Sequence, residues 1–551
     1  RGDISGQLGT LLHDPELVFT AVTAPNTRPI RLNATIPQAS GEGLEFFNGT
    51  GGFDLNGREY VIQLGPNDTT PAPWINVIAN PGFGFQVSAS GSGFTWAENS
   101  RDNQLTPWSN DAVVDPSGEA FYIRDDTSGV LISPTARPLS ATGNRQDHEG
   151  GLHVVRHGFG YSRFTHQADN IACDMVQFVP RDAPVRISIL RLSNTGTKPR
   201  QLSVAAYSEP VMGVSRAASA PFLITSRDNE TGALLVRNPW NTAFPGRVMF
   251  ADLFSPDSNA ESWTGDRTEF LGSGGSPAAP AGLRHHVTLS GRLGAGLDPC
   301  LALMKTVTLA PGESVEFIHL LGQCSDATAA VALVKEMRST DPHAALAKVQ
   351  GYWQETLGDL QIETPDRAMD IMVNGWLPYQ TLSCRIEARA AFYQASGAYG
   401  FRDQLQDNMA LTLTQPARTR AHLLRAAARQ FPEGDVQHWW LPHSGQGVRT
   451  RISDDCVWLG HAVATYVTAT GDTAVLDEKI SFLDGHSLHE DEHDAFFLPD
   501  DAGHGASLFD HCALGLDRAL RLAGQQGLPL IGTGDWNDGM NRVGAEGQGE
   551  S

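Results

Sequence analysis

Alternation of apolar and polar residues marks the first part of the chain. It is clearest in REYVIQL at 58–64, VRISILRLSN at 185–194 and VEFIHLLGQ at 315–323, and clusters of Gly, Pro, Asn and Asp separate such stretches. Alternation bounded by turn residues predicts short strands with a buried face. We therefore expect a large antiparallel β-sandwich up to about residue 325. A further strand is predicted in LRHHVTLSGRL at 283–293.

The apolar spacing changes near residue 325. From there, apolar residues recur three and four positions apart, the spacing of amphipathic helices. Long loops rich in Gly, His, Asp and Trp separate these helices, which suggests an α/α toroid whose central cleft collects residues from successive loops. The predicted helices cover 326–339, 342–357, 367–386, 419–431, 455–471 and 508–527. The predicted domains are a β-sandwich domain at 1–325, a helical linker at 326–365 and a catalytic barrel at 366–551.

Composition describes a water-soluble chain of more than one domain. The sequence has 551 residues, of which 40% are hydrophobic, and its net charge is −22. Such a charge disfavours nucleic acids and anionic membranes, so a phosphate-bearing substrate would need a local basic pocket. Six scattered cysteines without a CxxC pair, and no apolar run near the roughly 20 residues of a membrane helix, favour a reducing, cytoplasmic location.

The segment YGFRDQLQDNM at 399–409 places several polar groups at helical spacing. If it is helical from Arg402 onward, Asp403 and Asp407 share one face. Carboxylates beside an arginine and a glutamine suit the recognition of sugar hydroxyls. A solvated helical face with an internal ion pair is an equal alternative, and the segment by itself does not decide between them.

Two Gly-rich segments carry further candidate chemistry. GTGDWNDGMN, beginning at Gly532, sets Trp536 between two acids, so a flat apolar plate lies beside groups that can move protons. The segment at 438–461 holds three Trp and three His, including His443, which is a candidate sugar contact. Within it, SDD at 453–455 is typical of a helix N-cap, which predicts a structural role.

One motif resembles a metal site. HEDEH at 489–493 matches the HExxH pattern, which requires two His one turn apart on a regular helix plus a third ligand. The surrounding segment is acidic and bounded by Gly and Pro, which predicts a loop. We therefore expect neither zinc proteolysis nor a metal site.

Four motifs together resemble glycoside hydrolase family 94, the inverting phosphorylases of β-glycosides. They are GDWNDGMN, YGFRDQLQD, RTRISDD and the long stretch beginning NPGFGFQVS at Asn80. The resemblance implies an α+β multidomain fold, with a large antiparallel β-sandwich, a helical linker and an (α/α)6 barrel whose last helices lie beyond this chain. Within the family, the stretch from Asn80 is most similar to the phosphorylase-like region of cyclic β-1,2-glucan synthases and to β-1,2-oligoglucan phosphorylases.

The resemblance also implies roles for individual residues. Asp538 corresponds to the general acid, Trp536 to a ring that stacks on sugars, Asp403 to a contact of the glucosyl unit at subsite −1, and Arg389 to a phosphate-binding arginine. Two departures stand out: the segment QASGAYG, which ends at Gly400, lacks an arginine found in relatives, and the family's phosphate-binding His and Thr-Gly pair would follow the last residue. The remaining candidate sugar contacts are Arg402, Asp407 and His443.

The implied reaction is reversible, inverting phosphorolysis of a β-glucan, with β-1,2 linkage expected from the resemblance. Protonated Asp538 would donate to the glycosidic oxygen, with a pKa raised by burial beside Trp536, and inorganic phosphate would be the co-substrate, without a cofactor. An inverting hydrolase, with a second carboxylate about 6.5–9.5 Å from Asp538, and a non-catalytic glucan-binding region are the alternatives. The expected partners are β-glucan and phosphate, a possible second copy of the chain, and a larger membrane-associated synthase.

Overall fold

The N-terminal part of the protein consists of antiparallel strands. The computed structural model describes residues 39–65, 68–139, 151–258, 260–284, 288–489, 491–540, 542–544 and 549–550, and only the backbone of Asp538. Its first strands are β1 (Leu44–Glu45), β2 (Gly51–Asp54), β3 (Glu59–Leu64), β4 (Ile75–Asn80), β5 (Phe83–Ser88), β6 (Gly93–Ala97), β7 (Glu119–Asp125), β8 (Leu131–Ile132), β9 (His153–Gly158), β10 (Tyr161–Ala168), β11 (Ile171–Phe178), β12 (Val185–Asn194) and β13 (Arg200–Ser208). Then come the short helix α1 (Arg216–Ser219), β14 (Ile224–Arg227), β15 (Leu234–Arg237), β16 (Val248–Phe254), β17 (Glu261–Asp266), α2 (Arg267–Leu271), β18 (Pro299–Leu309) and β19 (Ser314–Cys324).

These strands form three sheets. The largest has 11 strands in the order β1-β2-β3-β9-β10-β11-β12-β19-β16-β15-β14, and a five-stranded sheet has the order β17-β18-β13-β7-β8. Strands β4, β5 and β6 form the third sheet. The main core lies between the sheets and includes Leu190 and Leu192 of β12. Val185, Ile187 and Ile189 of the same strand belong to a second core with the helices, so the large sheet is covered on both faces.

The strands predicted at 58–64, 185–194 and 315–323 are confirmed as β3, β12 and β19. The strand predicted at 283–293 is wrong for its described residues: Ala281–Leu283 is a 3-10 turn, and 288–293 contains no strand. Leu283 and Leu289 instead anchor a loop in a small apolar cluster with Phe270. The alternation of apolar and polar residues at 283–293 therefore comes from leucines that anchor a loop and not from one face of a strand. Residues 285–287 lie outside the described part.

Helices dominate after β19. They are α3 (Ala327–Ser339), α4 (Pro342–Thr356), α5 (Arg367–Ile371), α6 (Leu377–Gln380), α7 (Phe401–Met409), α8 (Pro416–Ala427), α9 (Asp455–Thr470) and α10 (Leu508–Arg521). Asp326 begins α3 because its carboxylate accepts the Ala329 N–H, which satisfies a free amide of the first turn. Asp341 does the same for His343 in α4, and Pro342 occupies the first helical position. The predicted change of period therefore falls between Cys324 and Ala327.

One helical segment connects the sandwich to the site. It runs from α5 to Ala388 and contains two π-helical stretches, Met372–Trp376 and Thr381–Ala388. On the sandwich side, the Trp376 indole donates to the Gly57 carbonyl at 2.9 Å, and the Tyr379 hydroxyl donates to Asn76 Oδ1 at 2.9 Å. The sequence predicted a regular helix here, because a π turn changes the apolar spacing too little to be recognised.

The helical part also holds short strands that the sequence analysis treated as loops. They are β20 (Ala390–Ala391), β21 (Gln394–Ala395), β22 (Tyr399–Gly400), β23 (Gln437–Trp440), β24 (Gly447–Thr450), β25 (Lys479–Asp484), β26 (Asp494–Phe497) and β27 (Asp500–Ser507). A four-stranded sheet has the order β22-β23-β24-β26, and β25 pairs with β27. None of the described helices combines the length and apolarity needed to cross a bilayer. The six cysteines are free thiols.

Candidate active site

The segment GTGDWNDGMN forms a sequence of tight turns. Asp535 Oδ1 accepts the Asn537 N–H at 2.8 Å, and Asn537 Oδ1 accepts the Gly539 N–H at 3.1 Å, so both side chains shape their own backbone. Gly532 has φ of +66°, and a Cβ there would collide with the Arg451 carbonyl oxygen. Trp536 is 63% exposed at the tip of this loop, where its ring is open to a ligand.

The backbone of Asp538 begins a 3-10 turn, Asp538–Met540, two residues after Trp536. Its side chain lies outside the described part of the chain. Its role as general acid, and a pKa raised by burial beside Trp536, therefore stay predictions. The contacts of Asp535 fit the structural role that Asx-turn chemistry gives it.

Arg402 joins helix α7 to this loop. Its Nη1 donates to the Trp536 carbonyl at 2.9 Å, and its guanidinium carbon lies 5.8 Å from the Trp536 ring centroid. The same group lies 3.5 Å from a carboxylate oxygen of Asp454. The Arg402 side chain is only 8% exposed, so its main visible action is to hold the loop backbone, and a sugar contact from it stays a prediction.

Asp403 and Asp407 share one face of α7, as their spacing predicted. Arg385, from the preceding helical segment, lies 3.9 Å from Asp403 and donates to Asp407 Oδ2 at 3.0 Å. Ion pairs therefore form both between two segments, from Arg385, and within α7, where Arg402 Nη2 lies 3.5 Å from Asp403 Oδ1. Burial raises the pKa of Asp407 to about 6, although Arg385 opposes the shift. Asp403 is half exposed, so its carboxylate can still contact a ligand.

Arg389 follows the second π-helical stretch with a left-handed backbone, φ +49°. Its Nε donates to the Gly397 carbonyl, its Nη1 donates to the Ile386 and Glu387 carbonyls, each at 3.1 Å, and its Nη2 donates to the Glu98 carbonyl at 3.4 Å. Burial lowers the pKa of Arg389. In this conformation the guanidinium fastens a helix end to two loops. Its phosphate-binding role stays a prediction, and phosphate would have to replace some of these carbonyl contacts.

His443 lies on the turn between β23 and β24 and contacts the sandwich. Its Nδ1 is 3.2 Å from Asn99 Nδ2, and its ring centroid is 4.7 Å from that of Phe244. Burial lowers the pKa of His443, which favours the neutral imidazole. Asn99 Nδ2 also donates to the Gly397 carbonyl, which Arg389 shares. The structure thus brings the predicted residues together in two groups: Arg402, Asp403, Asp407 and Trp536, and Arg389 with His443.

Comparison with known proteins assigns this arrangement to a family. The chain matches “Glycosyl hydrolase 94, supersandwich domain” over residues 58–340. It matches “Glycosyl hydrolase 94 superfamily, catalytic domain” over residues 352–551. The chain belongs to glycosyl hydrolase family 94. The predicted fold class, a large antiparallel β-sandwich followed by a helical catalytic domain, is confirmed, and the (α/α)6 closure of the helical domain stays a prediction.

Several named proteins are similar in sequence to this chain. Cyclic beta-(1,2)-glucan synthase NdvB of Rhizobium meliloti (strain 1021) is 45% identical over 94% of this chain and 18% of the synthase. N,N'-diacetylchitobiose phosphorylase of Vibrio furnissii is 26% identical over 90% of this chain and 62% of the phosphorylase. 3-O-beta-D-glucopyranosyl-beta-D-glucuronide phosphorylase of Paenibacillus borealis is 26% identical over 91% of this chain and 61% of the phosphorylase. This family 94 chain therefore spans less than two thirds of each of these relatives.

The sequence analysis missed a polar cluster in this family 94 site. SDD at 453–455 does mark the start of α9, with Asp454 at the N-cap, but the side-chain capping bond predicted there is wrong, because the Asp454 side chain accepts no backbone N–H of the first turn. Asp454 instead accepts the Trp458 indole N–H at 2.8 Å and pairs with Arg402. Asp455 is buried, and its Oδ2 lies 2.8 Å from His438 Nδ1. Burial raises the pKa of Asp455. The pairing of 438 with 455 depends on the β23–β24 hairpin, which local sequence did not indicate.

Asp407→Asn should stabilise the family 94 chain more at pH 8 than at pH 4. The folded pKa of Asp407 is about 6, above its ordinary value of about 3.9, so the favourable neutral form is lost as pH rises through 6. The amide stays neutral throughout. We expect the variant's melting temperature minus the wild type's to increase between these pH values, equivalent to at most about 3 kcal/mol. A difference that is constant or falls with pH would contradict the raised pKa.

Proposed function

We propose that this chain carries the site for inverting phosphorolysis of a β-glucan, with β-1,2 as the linkage, releasing α-glucose 1-phosphate. The observation that carries the proposal is the exposed Trp536, which Arg402 holds through its carbonyl two residues before the turn that begins at Asp538. A flat ring two positions before a carboxylic acid in the sequence suits a sugar placed for protonation at its glycosidic oxygen. Membership of a family whose relatives include named phosphorylases supports phosphate as the attacking group.

The proposed reaction forms one bond and breaks one. A phosphate oxygen attacks the anomeric carbon from the face opposite the leaving sugar, and the bond from that carbon to the glycosidic oxygen breaks. Asp538 gives its proton to the departing oxygen and is reprotonated from solvent after the product leaves. Phosphate arrives already anionic, so the step needs no second carboxylate as base, in contrast to inverting hydrolysis. In reverse, the same groups lengthen a glucan chain.

The side chains around the acid have proposed positioning roles. Trp536 stacks on the sugars around the scissile bond, and Asp403 accepts hydrogen bonds from hydroxyls of the glucosyl unit, since its carboxylate is half exposed. Arg402 keeps the loop backbone in place through the Trp536 carbonyl. Arg389 and His443 lie where the sandwich meets the helical domain and are proposed to face the phosphate side and the sugar side, respectively. Inorganic phosphate is the proposed co-substrate, without a cofactor.

The β-1,2 linkage rests on the resemblance and on the relative named as a cyclic glucan synthase. Because this chain covers 18% of that synthase, we also propose that it works within a larger membrane-associated synthase and adjusts glucan length. A homodimer and a cytoplasmic location are two further proposals. Phosphate and β-glucan are the proposed small-molecule partners.

One assay tests the proposal. Linear β-1,2-glucan is incubated with the chain, with and without inorganic phosphate, and glucose 1-phosphate and free sugar are measured. We expect glucose 1-phosphate only with phosphate, and none from β-1,3- or β-1,4-linked oligosaccharides. Free sugar without phosphate would show a hydrolase instead. Glucan binding without turnover at any phosphate concentration would show a binding region and would overturn catalysis by this chain.

A further inference from the structure

The loop between β25 and β26 gathers three metal-ligating side chains. His486, His489 and Glu492 each place one ligand atom so that all three atoms lie within 4.8 Å of one another. His486 Nε2 is 2.6 Å from Glu492 Oε2, and the His489 N–H donates to the same carboxylate oxygen at 2.9 Å. Both imidazole rings are exposed, so an ion can reach them from solvent.

Two arginines fix the backbone of this loop. Arg449 Nη1 donates to the His486 carbonyl at 3.1 Å. Arg451 Nη2 donates to the His489 carbonyl at 2.6 Å, and its Nε donates to the Glu492 carbonyl at 3.0 Å. Each of the three candidate ligand residues thus accepts a hydrogen bond from one of these arginines at its backbone carbonyl. Such outer contacts orient ligands before a metal arrives and reduce the ordering cost of binding.

Arg449 is itself firmly placed. Its guanidinium is buried and forms a bidentate pair with Asp435, at 2.8 Å to each carboxylate oxygen, and a further pair with Glu433 at 3.0 Å. The loop is therefore attached to the interior of the helical domain, although its side chains are exposed. A surface group of histidines without such support would move too freely to bind an ion well.

We propose that His486, His489 and Glu492 bind Zn²⁺. Two imidazoles and one carboxylate are a ligand set that zinc accepts, with water completing the coordination, whereas Ca²⁺ and Mg²⁺ require mainly oxygen ligands. The set differs from the HEDEH sequence pattern, because it combines His489 with a residue three positions before it and one three positions after it. His493, the second histidine of that pattern, lines a separate cavity with Arg451 and Thr533.

The bound ion would act on the catalytic loop through Arg451. The Arg451 carbonyl accepts the Thr533 N–H at 3.2 Å, and Ile452 forms a β-bridge with Gly532. The side chain of Arg451 therefore holds the zinc loop while its backbone holds GTGDWNDGMN. Zinc binding fixes the carbonyls that Arg451 contacts and so reduces the motion of residues 532–540. The reduced motion of residues 532–540 rests on the proposed function only in so far as these residues form its site. Zinc binding by His486, His489 and Glu492 does not depend on that function.

Zinc titration of the full 551-residue chain tests the site. The chain is stripped with EDTA, dialysed and titrated with Zn²⁺ in a calorimeter. We expect one saturable equivalent, weakened at least tenfold by His486→Ala and by His489→Ala. His504→Ala is the matched control, because this exposed histidine lies on β27 outside the group, and it should leave the affinity unchanged. Absence of saturable binding, or equal affinity in all three variants, would show that His486 and Glu492 form only an ion pair.

Hydrogen exchange tests the connection to the catalytic loop. Zn²⁺ should slow amide exchange in residues 532–540 of the wild type and of His504→Ala, and should leave exchange in His489→Ala unchanged. The His489→Ala backbone keeps the N–H and carbonyl that Glu492 and Arg451 contact, so the variant should fold as the wild type does, which its circular dichroism checks. Zinc binding without slower exchange in this segment would overturn the coupling. A failed phosphorolysis assay would leave both zinc results unaffected.

Discussion

Asp538→Asn should lower phosphorolysis by about 10²–10⁴-fold while leaving glucan affinity within a few-fold of the wild type. The amide is nearly isosteric with the carboxylic acid, so the turn Asp538–Met540 and the exposed Trp536 should remain. What is lost is the proton that the departing glycosidic oxygen needs. Initial rates of glucose 1-phosphate release and calorimetric glucan binding, measured on the same preparation, separate the two effects.

Asp535→Asn is the matched control for this variant. Asp535 acts in the structure through Oδ1, which accepts the Asn537 N–H at 2.8 Å, and an asparagine oxygen can accept the same hydrogen bond. We therefore expect at most a few-fold loss of activity. A loss from Asp535→Asn as large as that from Asp538→Asn would mean that the acid has been assigned to the wrong aspartate.

The second large effect is expected at the junction of the two domains. Glu387→Ala should destabilise the chain by about 3–5 kcal/mol, because it leaves Arg181 without its carboxylate. Glu387 is 2% exposed, and Arg181 donates to its two oxygens at 2.6 and 2.9 Å. Arg181 belongs to the sandwich, whereas Glu387 lies in the last turn before Arg389. Chemical denaturation followed by tryptophan fluorescence measures the loss, and Trp353 packs in the core that joins the two domains.

Two further variants give this experiment its controls. Glu478→Ala breaks a solvent-exposed pair with Arg420, and we expect little change in stability because such pairs contribute little. The double variant Arg181→Met, Glu387→Leu removes both charges and should recover part of the lost stability. If Glu387→Ala and Glu478→Ala shift the denaturation midpoint equally, the junction does not depend on the buried pair.

The parts of the fold that the sequence predicted share a physical property. Strands such as β12 and helices such as α9 are long enough for a periodic pattern to repeat several times. Strands β22 to β24 have two to four residues, so no period can be recognised in them. Yet this small sheet brings His438 next to Asp455. Because the sheet was not predicted, the contact between these two residues could not be predicted either. Short elements are therefore the part of the fold that the sequence analysis mainly failed to predict.

The candidate site shows the same limit at the level of side chains. The helical spacing of Asp403 and Asp407 predicted their common face, since it depends only on local geometry. Asp454 carries a local capping signal, but its carboxylate instead pairs with the buried Arg402, which the fold brings there, and accepts the indole N–H of Trp458 one helical turn later. Arg389 was assigned by resemblance, and nothing in its neighbours' sequence indicates that carbonyl groups occupy its donors.

The two π-helical stretches between Arg367 and Ala388 determine the direction in which the side chains of this segment point around the helix axis. In a regular α-helix each residue advances by about 100°, and each π turn takes in one residue more than an α turn. Residues on opposite sides of such a turn are therefore rotated relative to where a regular helix would place them. Trp376 and Tyr379 face the sandwich, and Arg385 faces Asp407 on α7. The extra residues align two contact surfaces that a straight, regular helix of the same length would leave out of register.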